Sequence, residues 1–91
     1  MIVKHSVAAV IDRITSYEEE SRYSLLGRMR SDCEYFLGYG NRCERHLWGK
    51  EVKEHIQYMK ALWLSFPMNG KPKWLSFEEI EAYENRMLEK K

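Results

Sequence analysis

Leu25, Leu26, Met29, Cys33, Phe36 and Leu37 recur three or four residues apart, and Gly38 and Gly40 stop the run. This spacing lays one continuous apolar stripe along a helix and is incompatible with a strand, whose side chains alternate between faces. Glycines commonly follow the last helical turn, so the stripe has a natural end. Upstream, Ser16-Tyr-Glu-Glu has the form of a capping box, with Ser16 as cap and Glu19 reaching back. The acidic run Glu18–Glu20 suits the positive end of the helix dipole. Gly27, inside the stripe, costs up to about 1 kcal/mol relative to alanine, and points to a close helix–helix approach or a kink.

The same reading extends to both sides. Val3, Val7, Val10, Ile11 and Ile14 define a short amphipathic helix ending near Thr15. A third helix is expected over roughly residues 50–66, with Val52, Ile56, Met59, Trp63 and Phe66 on one face. Pro67, Gly70 and Pro72 mark a loop. Ser76-Phe-Glu-Glu is a second capping box, with Leu75 placed as a hydrophobic staple against Ile80. The last helix turns Phe77, Ile80, Tyr83 and Met87 inward. No strand alternation, repeat or low-complexity segment appears. The expectation is one all-α domain over residues 1–91, a compact bundle of about four short helices. A chain this small folds with only about 5–13 kcal/mol, so a bound metal or partner weighs heavily in its stability.

Charge narrows the partners. Fifteen basic residues against fourteen acidic ones leave a net charge of +1. Proteins that track a phosphate backbone usually carry a strongly basic face, and a DNA mimic needs the opposite. This chain has neither balance, so direct nucleic-acid binding is not expected. No stretch resembles a signal peptide or reaches the roughly 20 apolar residues that span a bilayer. The two cysteines therefore read as thiols or metal ligands in a cytoplasmic protein, with no membrane partner.

The candidate chemistry lies in and around residues 38–48, GYGNRCERHLW. Cys43-x-x-His46 has the spacing with which one turn presents two ligands. Cys33 lies one turn before the glycines and His55 about one turn into the following helix. If the loop folds back, Cys33, Cys43, His46 and His55 converge as a closed tetrahedral set for a structural zinc ion, with Asp32, His5 or water as alternatives to His55. The competing reading makes Cys33 a buried core thiol and the others loop and surface residues.

Other patterns are weaker. Gly38-Tyr-Gly40 lacks the strand–loop–helix setting of a phosphate loop and reads as a helix stop. Arg28, Arg30, Arg42 and Arg45 with Tyr35 and Tyr39 have the makings of a nucleic-acid contact, but Glu34 and Glu44 interrupt them. Cys33 with His46 lacks any oxyanion stabiliser or third orienting group, so no enzyme is expected. Trp63 reads as core; Trp48 and Trp74 plug the bundle's ends or anchor an interface.

The stretch from Leu26 to Tyr83 resembles the large polyvalent protein-associated domain family of phages, prophages and conjugative elements. The resemblance is carried by SDCEYFLGYGNR at 31–42, HLW at 46–48, the spacing of Ile56, Met59 and Leu62, and KWLSFEEI at 73–80. Asp32, Cys33, Gly38, Gly40, Asn41, Arg42 and Trp48 fit that pattern, whereas Cys43 and His55 are particular to this chain. The resemblance implies a helical mobile-element protein. Some small phage proteins of this general kind look like anti-CRISPR inhibitors. That implies, as partner, a type II RNA-guided nuclease (Cas9) whose target DNA loading or cleavage is blocked by direct contact. The alternative is a nucleic-acid-binding accessory protein of a mobile element.

Overall fold

In the computed structural model, which describes residues 6–89, Ser6 caps the first helix. Its Oγ accepts a hydrogen bond from the Ala9 N–H at 3.3 Å. This helix, α1, runs Val7–Thr15 and buries Ile14, with Val7, Val10 and Ile11 half-buried against the core. Val3 and His5 lie outside the described residues.

Helix α2 spans Glu19–Leu37 and buries Leu26, Met29, Cys33 and Phe36, the stripe expected from the spacing. Its start differs from the expected capping box. Ser16 ends α1 instead, its hydroxyl donating to the Asp12 carbonyl at 2.6 Å, and Glu18 stands at the N-cap without a side-chain cap bond. With that hydroxyl turned back into α1, Arg22 secures the junction. Its Nε donates to the Tyr17 carbonyl at 2.9 Å and its Nη1 to Ser65 Oγ at 2.8 Å. The Trp74 indole covers Gly27 with a carbon 3.8 Å from where a Cβ would stand, an ordinary contact distance, so the expected close approach does not require glycine here.

Helix α3 covers Val52–Leu64, shorter at both ends than the sequence expectation. Lys50 takes a left-handed conformation (φ 70°) and Glu51 an extended one, so no helical turn can begin before Val52. Helix α4, Phe77–Leu88, begins with the expected capping box. The Glu79 N–H donates to Ser76 Oγ at 3.1 Å, and the Ser76 N–H donates to Glu79 Oε1 at 2.8 Å.

Helix α3 is central, in contact with α1, α2 and α4, while α2 also meets α4. Their apolar stripes converge on Leu26, Met29, Ile56, Met59, Leu62, Leu75 and Ile80, all essentially inaccessible to water. Each such side chain contributes about 1.5–3 kcal/mol by leaving water. The Cα trace measures 39 × 38 × 17 Å, a plate with two broad faces. Among the described residues there is no strand, and the fold class is all-α as expected.

Candidate functional site

The loop between α2 and α3 begins as an elaborate helix stop. The last carbonyls of a helix lack intrahelical donors and need others. Here the Gly40 N–H donates to Tyr35 O at 2.6 Å and the Arg42 N–H to Phe36 O at 2.9 Å. At this stop the left-handed residues are Asn41 (φ 53°) and Arg42 (φ 57°), while no described glycine has positive φ. Gly40 is needed for closeness, since a Cβ there would stand 2.7 Å from the Tyr35 carbonyl.

That turn throws the Arg42 side chain across to α4. One guanidinium nitrogen, Nη2, faces the carbonyls of Arg86 (2.6 Å), Met87 (3.1 Å) and Glu89 (2.8 Å). The guanidinium also lies over the Phe36 ring, 5.5 Å from its centroid. A single arginine thereby caps the C-terminus of α4 and ties it to the end of α2.

The rest of the loop is held by three more side chains. Asp32 Oδ2 accepts from the Trp48 N–H at 2.9 Å, and Glu44 Oε2 from the Val52 N–H at 2.8 Å, which caps α3. His55 is fully buried and bridges loop to helix. Its Nδ1 accepts from the Gly49 N–H at 3.1 Å, so Nε2 carries the proton and donates to the Met29 carbonyl at 2.9 Å. Burial lowers the His55 pKa from its ordinary value, against smaller upward effects of the Met29 bond and the Asp32 charge. The imidazole is neutral at pH 7.

These contacts correct the expectation of a metal-pinned loop. Cys33, Cys43, His46 and His55 do not converge. Cys33 is enclosed in the core with its Sγ 3.6 Å from Met59 Sδ. Burial, then Asp32 and Glu34, push its pKa up to about 12, which disfavours the thiolate a metal needs. Both ring nitrogens of His55 are committed to backbone groups. His46 is exposed and set edge-on to the Tyr35 ring at 5.4 Å. Cys43 is partly exposed, its pKa lowered chiefly by hydrogen bonds from Arg45. Of the substitutes for His55, Asp32 holds the Trp48 amide, and His5 lies outside the described residues. Among the described residues no three His, Cys, Asp or Glu side chains are arranged to hold a metal. This donor set does not fit tetrahedral zinc.

The loop's outer surface is a different matter. Tyr39 is 92% exposed at its tip, between Gly38 and the buried Gly40. Of the arginines nearby, Arg42 is spent on α4, and Arg30 pairs with Glu34 at 3.9 Å. Arg28 and Arg45 are exposed. On the loop's other side lies a cleft of about 230 Å³ that the sequence reading missed, lined by Val10, Arg13, Trp48, Gly49, Lys50 and Tyr58. Its residues come from three separate segments, so no local spacing announces it. Only the pairing of Trp48 with an adjacent Gly-Lys hinted at it.

Fold and site together define a small all-helical module built around a hydrogen-bonded interhelical loop. The family model for large polyvalent protein-associated domain 11 matches residues 19–87, and the chain belongs to that family. Membership associates it with phages and other mobile elements. The match begins at the first residue of α2 and ends inside α4, so α1 lies outside it. No curated protein and no solved structure matches the chain. Among the described residues no helix is long and apolar enough to cross a membrane.

Proposed function

We propose that this chain is a non-enzymatic binding protein of a mobile element, acting inside the bacterial host by docking on another protein. The observation that carries this reading is Tyr39. A large aromatic ring at 92% exposure stands on a loop whose backbone is fastened on both flanks. Ordering a side chain on association costs affinity, and a pre-organised aromatic knob reduces that cost, which is why tyrosine is enriched among interface hot spots. The plate-like shape adds two broad faces, and a typical interface half needs about 800 Å².

The particular form of the proposal is inhibition of a type II RNA-guided nuclease, the host defence a mobile element meets. With a net charge of +1, Arg42 committed to the end of α4 and Arg30 beside the Glu34 carboxylate, docking on a protein lobe suits the chain better than imitating or tracking DNA. The occupied lobe would then be closed to target DNA.

Guide-loaded type II effectors incubated with the protein test this. Cleavage of target DNA should fall in a dose-dependent way, and Tyr39→Ala should weaken inhibition at least tenfold without shifting the melting temperature. Undiminished cleavage across several effectors overturns the inhibitor reading. Duplex or single-strand binding that weakens steeply with salt would replace it with the accessory-factor reading.

A further inference from the structure

The cleft between α1 and the loop has the composition of a ligand site. Val10, the Trp48 indole and the Tyr58 ring supply apolar walls, and Trp48 and Tyr58 meet edge-to-face at 5.8 Å between centroids. Arg13 and Lys50 add two cations at the same place, and neither forms an ion pair among the described residues. Lys50 is set there by a left-handed backbone (φ 70°), a conformation L side chains seldom adopt. Arg42's similar conformation is explained by its capping of α4. Among the described residues the Lys50 side chain makes no comparable contact.

The second observation is where the charges around the cleft lie. Arg13 and Lys50 line it, whereas Glu54 and Glu51, which act on the buried Tyr58 phenol (Glu54 also through a hydrogen bond), are not among its lining residues.

From this cleft we infer that the protein binds a small organic anion with an apolar body, a carboxylate on an aromatic or branched group, with the body between Trp48 and Val10 and the carboxylate toward Arg13 and Lys50. About 230 Å³ is less than the roughly 300–1,000 Å³ of drug-sized sites, so the ligand is the size of one side chain. Two sources share this chemistry, a free metabolite and the C-terminal residue of a partner protein. Because Val10 and Arg13 belong to α1, the site is a property of this chain beyond the family-matched segment.

The test needs no nuclease, so its outcome is independent of the inhibitor proposal. 3-Phenylpropanoate and 3-phenylpropanamide are titrated into the full chain while the indole and amide resonances are followed by NMR. The carboxylate should shift the Trp48 indole and the Gly49 and Lys50 amides, with a dissociation constant on the order of 1 mM. The amide should bind at least tenfold more weakly. Arg13→Gln with Lys50→Gln should remove the difference while the Trp63 and Trp74 indoles keep their positions, showing an intact fold. A peptide ending in a free phenylalanine carboxylate that binds tighter than the free acid indicates a partner's C-terminus; equal or weaker binding indicates a metabolite. Equal affinity for acid and amide, shifts confined to other surfaces, or no shift at 50-fold the expected dissociation constant overturns the site.

Discussion

His55 and Gly49 fit each other in two ways at once. The Gly49 N–H donates to Nδ1 at 3.1 Å, and a Cβ on Gly49 would stand 2.6 Å from the His55 Cα. The contact is therefore both a polar bond and a steric fit between loop and helix. Replacing His55 with alanine should cost roughly 2–4 kcal/mol, from the orphaned Gly49 donor and the cavity left behind. Urea denaturation of both forms measures it. An unchanged midpoint would show that the loop is held without this bridge.

The same pair sets a pH dependence. His55 has a lowered pKa in the folded state, while in the unfolded chain it titrates near its ordinary 6.5. Below that value the unfolded state binds the extra proton first, so stability rises with pH across the interval between the two values and is lost as pH falls below 6.5. Urea midpoints at pH 7.5 and 5.5 should differ, with the lower one at pH 5.5. In His55→Ala the difference should shrink.

Two glycines should respond in opposite directions to alanine. Gly49→Ala forces the new methyl into the α3 backbone and should destabilise by about 2–4 kcal/mol, within the range for buried overpacking and strain. Gly27 lies inside α2 with its nearest neighbour at an ordinary 3.8 Å. Gly27→Ala should stabilise by about 0.5–1 kcal/mol through helix propensity alone. Thermal melts of the two variants, moving apart from the parent, check both.

Arg42 links the distant ends of α2 and α4. Truncation in Arg42→Ala removes its bonds to the carbonyls of Arg86, Met87 and Glu89 and should cost about 1–3 kcal/mol. Amide exchange should accelerate most in the last turn of α4. Exposed Arg28→Ala is the matching control, expected to change stability by under about 0.5 kcal/mol.

The thiols should behave as a mismatched pair, not as a ligand set. In native protein a disulfide reagent should label Cys43 rapidly, since Arg45 lowers its pKa and its side chain is partly open. Cys33, enclosed in the core, should react only after unfolding. Zinc added to the protein should leave both the labelling rate and the melting temperature unchanged. Protection of Cys43 by zinc would count against the hydrogen-bonded account of the loop.

The helices were legible in the chain because their cause is local and repetitive. The Leu26–Met29–Cys33–Phe36 spacing, the stop at Gly38 and the Ser76–Glu79 capping box all relate residues three or four apart, and each appears in the fold as expected. Ser16 shows the limit of that reasoning, because its hydroxyl has two local uses and the junction held by Arg22 decides between them.

The loop was visible as chemistry but not as geometry. Sulfur and imidazole at plausible intervals suggested a metal, yet the side chains' directions depend on how α2 and α3 pack. That packing turns Cys33 into the core and gives both nitrogens of His55 to backbone partners at positions 29 and 49. The cleft lined by Arg13, Lys50 and Tyr58 lay further out of reach, since nothing in residues 10–13 refers to residues 48–58 until α1 docks on α3. Periodicity specifies which face of a helix is apolar. Which polar atoms then meet across the gaps is set by tertiary packing, because hydrogen bonds and steric fits depend on distances no single segment contains.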